Sequence, residues 1–196
     1  ASGVAQQLSE ELDTKLARLH NITQSILLKQ SSVIQMQMDI DAAVGGFRYG
    51  LSSIGPEMNR ISSFLSAENP ESSDAANRFI ASASSMESTF LVMMMHSELS
   101  KAEKEYREMR NRIAGINLAY EDFQSLHPEV SEYASLTAPY EMVKQGFSEK
   151  GVLRLILAKL EQGELQRSEF KQASMLADET MRLLDQISQT AGQLID

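Results

Sequence analysis

Apolar residues recur at a stride of seven along the first third of the chain, at Leu12, Leu19, Ile26, Val33, Ile40, Phe47 and Ile54. Seven residues make nearly two turns of α-helix, so this row predicts a long helix with one apolar face packed at a shallow angle on a neighbour. The companion row in the same frame reads Leu16, Thr23, Gln30, Gln37, Val44 and Leu51, which places polar groups in the middle of the expected seam. Within residues 72–126 a second row runs Leu99, Ala102, Tyr106, Met109, Ile113, Ile116, Tyr120 and Phe123. Within residues 151–195 a third runs Leu153, Ile156, Leu160, Gly163, Arg167, Phe170, Ser174, Ala177, Met181, Leu184, Ser188, Ala191 and Ile195. Strand-period alternation is nearly absent.

Punctuation supports the same division. Prolines stand at 56, 70, 128 and 139. Asn69-Pro70, followed by Ser72, Ser73 and Asp74, supplies a turn and several candidate N-caps. His127-Pro128 ends the second stretch, because the residue before proline is pushed away from helical angles. Residues 129–136 and 140–147 read as short helices separated by Ala138-Pro139. Gly45, Gly46, Gly50 and Gly55-Pro56 predict a kink or a close approach near the far end of the first helix.

The predicted fold is all-α: an elongated antiparallel helical bundle, either four-helix or two-tier and bimodular, in a single domain over residues 1–196. A helix over about 54 residues rises roughly 80 Å and the last one descends roughly 68 Å, so the two run side by side. An unbroken helix over 72–126 would leave residues 129–147 too short to close the chain. Either a turn near Gly115 or an overlapping second tier is expected to resolve this.

Charge and composition narrow the function. The net charge is -9, which disfavours a nucleic-acid groove and repels anionic lipid headgroups. Cysteine is absent, removing disulfides, thiol nucleophiles and thiolate metal sites. No apolar run is long enough to span a bilayer as a helix. The chain opens on Ala1-Ser2-Gly3 without an initiating Met, which reads as a boundary cut within a longer protein.

Catalytic and metal patterns are missing. The histidines at 20, 96 and 127 form no pair at helical metal-ligand spacing, and there is no Glu-x-x-His pair, phosphate loop or nucleophile elbow. No enzymatic activity, metal or cofactor is expected. The run from Phe90 to His96 is apolar on every helical face, so part of it must meet a second tier, a partner or solvent.

Two sets of residues are candidates for binding an anion. Antiparallel helices with level ends pair each residue with the one equally far from the other terminus. That rule sets Arg167 beside Gln30 and Ser174 beside Thr23, a polar layer in which the guanidinium could take a carboxylate with two parallel hydrogen bonds. An arginine there can equally snorkel to the surface or pair with a glutamate of the bundle. The rule also brings Arg48 and Tyr49 level with Lys150, one turn from Arg154. A turn near residue 69 would bring Arg60 close to Arg78. Cations gathered at one tip of an acidic chain favour an anion there.

The seams from Leu12 to Ile54 and from Leu153 to Ile195, bracketing an acidic, cysteine-free bundle, resemble the extracytoplasmic sensor domains of bacterial chemoreceptors and histidine kinases. The four-helix-bundle and helical bimodular types are the most similar. The resemblance covers the whole chain in architecture and implies a periplasmic domain of an inner-membrane protein, joined to the membrane through flanking segments. It further implies a weak homodimer and a small anionic ligand (a carboxylate, an amino acid or an oxyanion) or a periplasmic binding protein as partner. Ligand binding would then shift the last helix through the membrane. A structural or assembly protein, and a helical adaptor using the methionine-rich segment, are the competing expectations.

Overall fold

Asn69 shows how the punctuation works in the folded chain. Its side chain accepts a hydrogen bond from the Glu71 N–H at 3.0 Å, its carbonyl accepts from the Ser72 hydroxyl at 2.6 Å, and Pro70 fills the first helical position. Together they satisfy donors that a helix start leaves unpaired. The computed structural model describes residues 2–65 and 69–195. Its helices are α1 (Ser2–Leu65), α2 (Pro70–Met95), α3 (Leu99–Leu126), α4 (Ala134–Gly146) and α5 (Val152–Ile195), with one turn of 3₁₀ helix at Ser131–Tyr133. The fold is all-α. The helices pack as two compact units, one made of residues up to 35 and from 161 onward, the other of residues 36–160.

In the larger unit α2 and α3 form an antiparallel hairpin. The break falls at His96-Ser97-Glu98, with His96 in extended backbone, and Gly115 lies inside α3 rather than at a turn. Apolar phase explains the position. The buried row Phe79, Ala83, Met86, Phe90 and Met93 would continue onto Ser97 and Ser100, both polar, while the next buried row restarts at Ala102. The apolar run at the end of α2 is divided accordingly, with Phe90 and Met93 fully buried and Met95 84% exposed.

Proline does not stop α1 at 56. The helix continues to Leu65 because Ile54, Met58 and Ile61 are completely buried around the proline. Three such side chains contribute about 1.5–3 kcal/mol each, more than the roughly 3 kcal/mol that an interior proline costs. The same applies at Pro139, where α4 runs through as one helix between buried Leu136, Tyr140 and Val143. Gly50 accounts for the expected close approach. A Cβ there would lie 2.7 Å from the Pro139 carbonyl oxygen and 2.9 Å from Val143 Cγ2, so α1 and α4 touch at their backbones.

The core of this unit is aromatic. Phe47 meets Phe90 edge-on at 4.9 Å, and Tyr120 lies against Tyr140 at 5.1 Å and Phe79 at 6.0 Å. The Tyr133 hydroxyl donates to the His127 carbonyl at 2.6 Å, closing the turn in which Glu129 adopts a positive φ of 58°.

The smaller unit is an antiparallel pair of helices, and it buries far less. Among the described residues its buried ones are Ile26, Leu176, Thr180 and Leu183. The expected register holds, since Lys15 pairs with Glu179 at 2.9 Å, Lys29 with Glu169 at 2.5 Å and Gln30 with Gln166 at 2.7 Å. The rows themselves differ from expectation. On α1 the inward companion row is Lys15, Ile22 and Lys29, three residues after the main seam rather than four, and Leu16, Thr23 and Gln30 are exposed. On α5 the inward row beyond Gly163 is Gln166, Glu169, Ala173, Leu176, Thr180 and Leu183, one residue earlier than expected. On α1 the main seam from Leu12 to Ile54 itself stays inward or partly inward, so only the choice of companion row differs there.

Candidate functional site

Where α1, α4 and the start of α5 meet, small residues leave a cavity of about 450 Å³. Ala42, Ala43, Gly46 and Phe47 form one wall, Met142, Gln145 and Gly146 a second, and Ser148, Lys150, Gly151 and Val152 the mouth. Glycine is required at two of these positions. A Cβ on Gly146 would overlap the Phe47 ring, and one on Gly151 would overlap the Gln145 carbonyl.

The mouth is a helix start without a side-chain cap. Gly151 donates its N–H to the Ser148 carbonyl at 3.0 Å, and its own carbonyl accepts the Leu155 N–H at 3.1 Å. The intervening N–H groups of Val152, Leu153 and Arg154 have no carbonyl of their own helix to meet, and Gly151 offers no side chain to accept from them. Exposed Lys150, next in sequence to Gly151, is the one charged residue in the lining. A cation next to a helix N-terminus over a floor of apolar groups suits a small anion with an organic body, such as a carboxylate.

The other expected site residues are distributed as follows. Arg48 and Tyr49 are exposed on α1, and Arg154 is exposed in the first turn of α5; none of the three lines the cavity. Arg60 is held by Glu57 at 3.1 Å and Ser135 at 2.5 Å. Glu57 is in turn held below its ordinary carboxylate range by the Ser135 hydrogen bond and then by Arg60. Arg78 is shared between Asp74 and Asp122, both at 3.2 Å, and these carboxylates raise its pKa. Each of these two arginines is thus satisfied by its own carboxylates. A second cavity, of about 650 Å³, lies beside Arg78, but Glu71, Asp74 and Asp122 make its lining acidic and unsuited to an anion.

Thr23, Gln30 and Arg167 do not form the expected inward layer. All three are exposed, the Thr23 hydroxyl donating to the Leu19 carbonyl at 2.8 Å. The polar layer that the smaller unit does contain is Ser25, Lys29 and Glu169. Lys29 Nζ donates to both Ser25 Oγ at 2.8 Å and Glu169 Oε1 at 2.5 Å, and Ser25 Oγ donates to Glu169 Oε1 at 2.9 Å. The Lys29 hydrogen bond, followed by that of Ser25, keeps the Glu169 carboxyl below its usual range against the opposing effect of burial. These residues could have been found from register alone, since Lys29 and Glu169 are nearly equidistant from the two termini.

Among the described residues no group of three or more His, Asp or Glu side chains is placed to hold a metal ion, and no helix is long and apolar enough to cross a membrane. No protein-family model, curated protein or solved structure matches the chain.

Proposed function

We propose that this chain is the ligand-binding sensor domain of a bacterial transmembrane receptor, of the chemotaxis or two-component type, and that it takes a small anionic ligand between its helices. The observation that supports this reading is the cavity at the start of α5, lined by Lys150 and by Gly151 and Val152 where the helix begins without a side-chain cap. An anion there would draw together the α4–α5 connection and the first turn of α5. A ligand shifts such an equilibrium only by its differential affinity for the two packings, so the site must tighten as α5 moves. Displacement of α5 along its axis is the proposed output, carried through a membrane segment beyond the chain's end. In this reading the chain is a periplasmic domain of an inner-membrane protein and has no catalytic role.

A thermal-shift screen against carboxylates, amino acids and inorganic oxyanions tests it, with calorimetry on any hit. A true ligand raises the melting temperature with the logarithm of its concentration. Lys150→Met is expected to abolish the shift, whereas Arg167→Ala leaves it intact. Silence across all three classes, or a shift indifferent to Lys150, would sink the small-anion reading.

A further inference from the structure

Within the larger unit, α1 and α2 enclose a further cavity of about 410 Å³. Its inner wall is apolar, since Leu51, Gly55 and Ala83 are buried and Ile80 is partly so. Gly55 and Ala83 keep the space open. A Cβ on Gly55 would lie 3.8 Å from the Ala83 Cβ, an ordinary contact, so the two helices meet there on their smallest side chains and leave room that larger ones would fill. Ser52, Asn59 and Ser84 are exposed members of the lining, and Glu87 is a half-buried one.

Glu87 is isolated on these helices. It is the only Asp, Glu, Lys or Arg of α2 between Arg78 and His96, and α1 has none between Arg48 and Glu57. Among the described residues its carboxylate makes no ion pair or hydrogen bond, and no cation lines the cavity. A carboxylate drawn partly out of water costs stability until an opposite charge joins it. Pro56 adds a second acceptor. The helix runs through Pro56, which has no N–H, so the Ser52 carbonyl four residues back loses its helical donor. The Ser52 hydroxyl already donates to the Tyr49 carbonyl at 3.1 Å.

We propose that this cavity binds a small organic cation, a primary ammonium group carried on an apolar body. An ammonium has three donors and no acceptor, which suits a lining whose one charge is a carboxylate and whose proline frees a carbonyl. The hydrocarbon would lie against Leu51, Gly55, Ile80 and Ala83. A mostly apolar cavity of this size with a few polar groups is the usual form of a small-molecule site. The chain's net charge of -9 draws cations toward it, and an anionic ligand would meet Glu87. The site selects the opposite charge from the cavity at Lys150, and it stands whether or not that cavity takes an anion.

Calorimetry and thermal shift on the intact chain, with phenethylammonium and the neutral phenethyl alcohol as probes, are the test. The ammonium is expected to bind at millimolar concentration and the alcohol about tenfold more weakly, since only the charged group gains a charge-assisted hydrogen bond. Glu87→Gln keeps the shape of the side chain and should lower the affinity for the ammonium by about tenfold. Having no partner to lose, the same variant should leave the melting temperature without ligand unchanged or raised. Glu108→Gln, exposed on α3, should leave binding in place. No binding of the ammonium, equal affinity for the ammonium and the alcohol, or binding indifferent to Glu87→Gln would each overturn the inference. The comparison of the two probes uses the unaltered chain, so it decides the matter even if Glu87→Gln fails to fold.

Discussion

Lys29 reaches across the helix pair to Glu169 at 2.5 Å, and both side chains are about four-fifths buried, at 21% and 19% exposure. The pair closes the smaller unit at a level where apolar packing is thin. Its Glu169 Oε2 is buried without a hydrogen-bond partner, which makes the balance between desolvation and pairing close.

Removing only one partner leaves the other charge in a half-dry site. Lys29→Met is therefore expected to destabilise the chain by about 2 kcal/mol, and Lys29→Met with Glu169→Leu to recover most of that loss. Urea denaturation followed by circular dichroism measures both. Equal losses in the single and double variants would show that the pair contributes nothing specific. The same carboxyl sets an acid dependence. Its folded pKa is depressed, so its contribution is complete above the ordinary carboxylate value of 4.5 and disappears as pH falls through the lowered folded value. Lys29→Met should flatten that acid limb.

The helix pair also shows which features the sequence made legible. The row from Leu12 to Ile54 is inward or partly inward throughout, and level ends did pair Gln30 with its counterpart region on α5. Orientation beyond one row was not legible. Polar Gln166, Glu169 and Thr180 face inward on α5 while Phe170 and Met181 face out, so hydropathy pointed to the wrong row wherever a second apolar row ran beside the first. The break at His96 carried a signal in the change of apolar phase, but no glycine or proline marked it. The cavity at Lys150 depends on backbone approaches at Gly146 and Gly151 that no periodicity encodes.

Glycine positions give a second prediction, because Gly50 and Gly45 lie on the same helix in opposite circumstances. A Cβ at Gly50 would strike the Pro139 carbonyl at 2.7 Å, and backbone cannot yield as a flexible side chain can, whereas nothing lies within 4 Å of a Cβ at Gly45. Gly50→Ala is expected to destabilise by about 1–3 kcal/mol through forced separation of α1 and α4. Gly45→Ala should stabilise by roughly 0.5–1 kcal/mol through its better helix propensity. Thermal melts of the two variants should move in opposite directions, and a stabilised Gly50→Ala would contradict the close approach.

The tyrosines of the larger unit govern its behaviour in base. Burial, followed by the neighbouring Tyr120, pushes Tyr133 up to about 12, while burial also raises Tyr120 and raises Tyr140 further. In the unfolded chain each ionises near its ordinary value of 10, so each contributes stability that is complete below pH 10 and is lost as pH rises through the folded value. Tyr140 adds a hydrogen bond from its hydroxyl to Asn117 Oδ1, which ionisation would abolish. Ionisation of Tyr120, Tyr133 and Tyr140 is therefore expected to appear in the tyrosinate absorbance together with loss of helical circular dichroism. Tyr140→Phe should lower the pH-independent stability by about 1 kcal/mol, having left Asn117 without its donor, and should make the loss of stability above pH 10 shallower. Smooth ionisation of all the tyrosines near pH 10 with helicity intact would mean that the aromatic cluster is open to water.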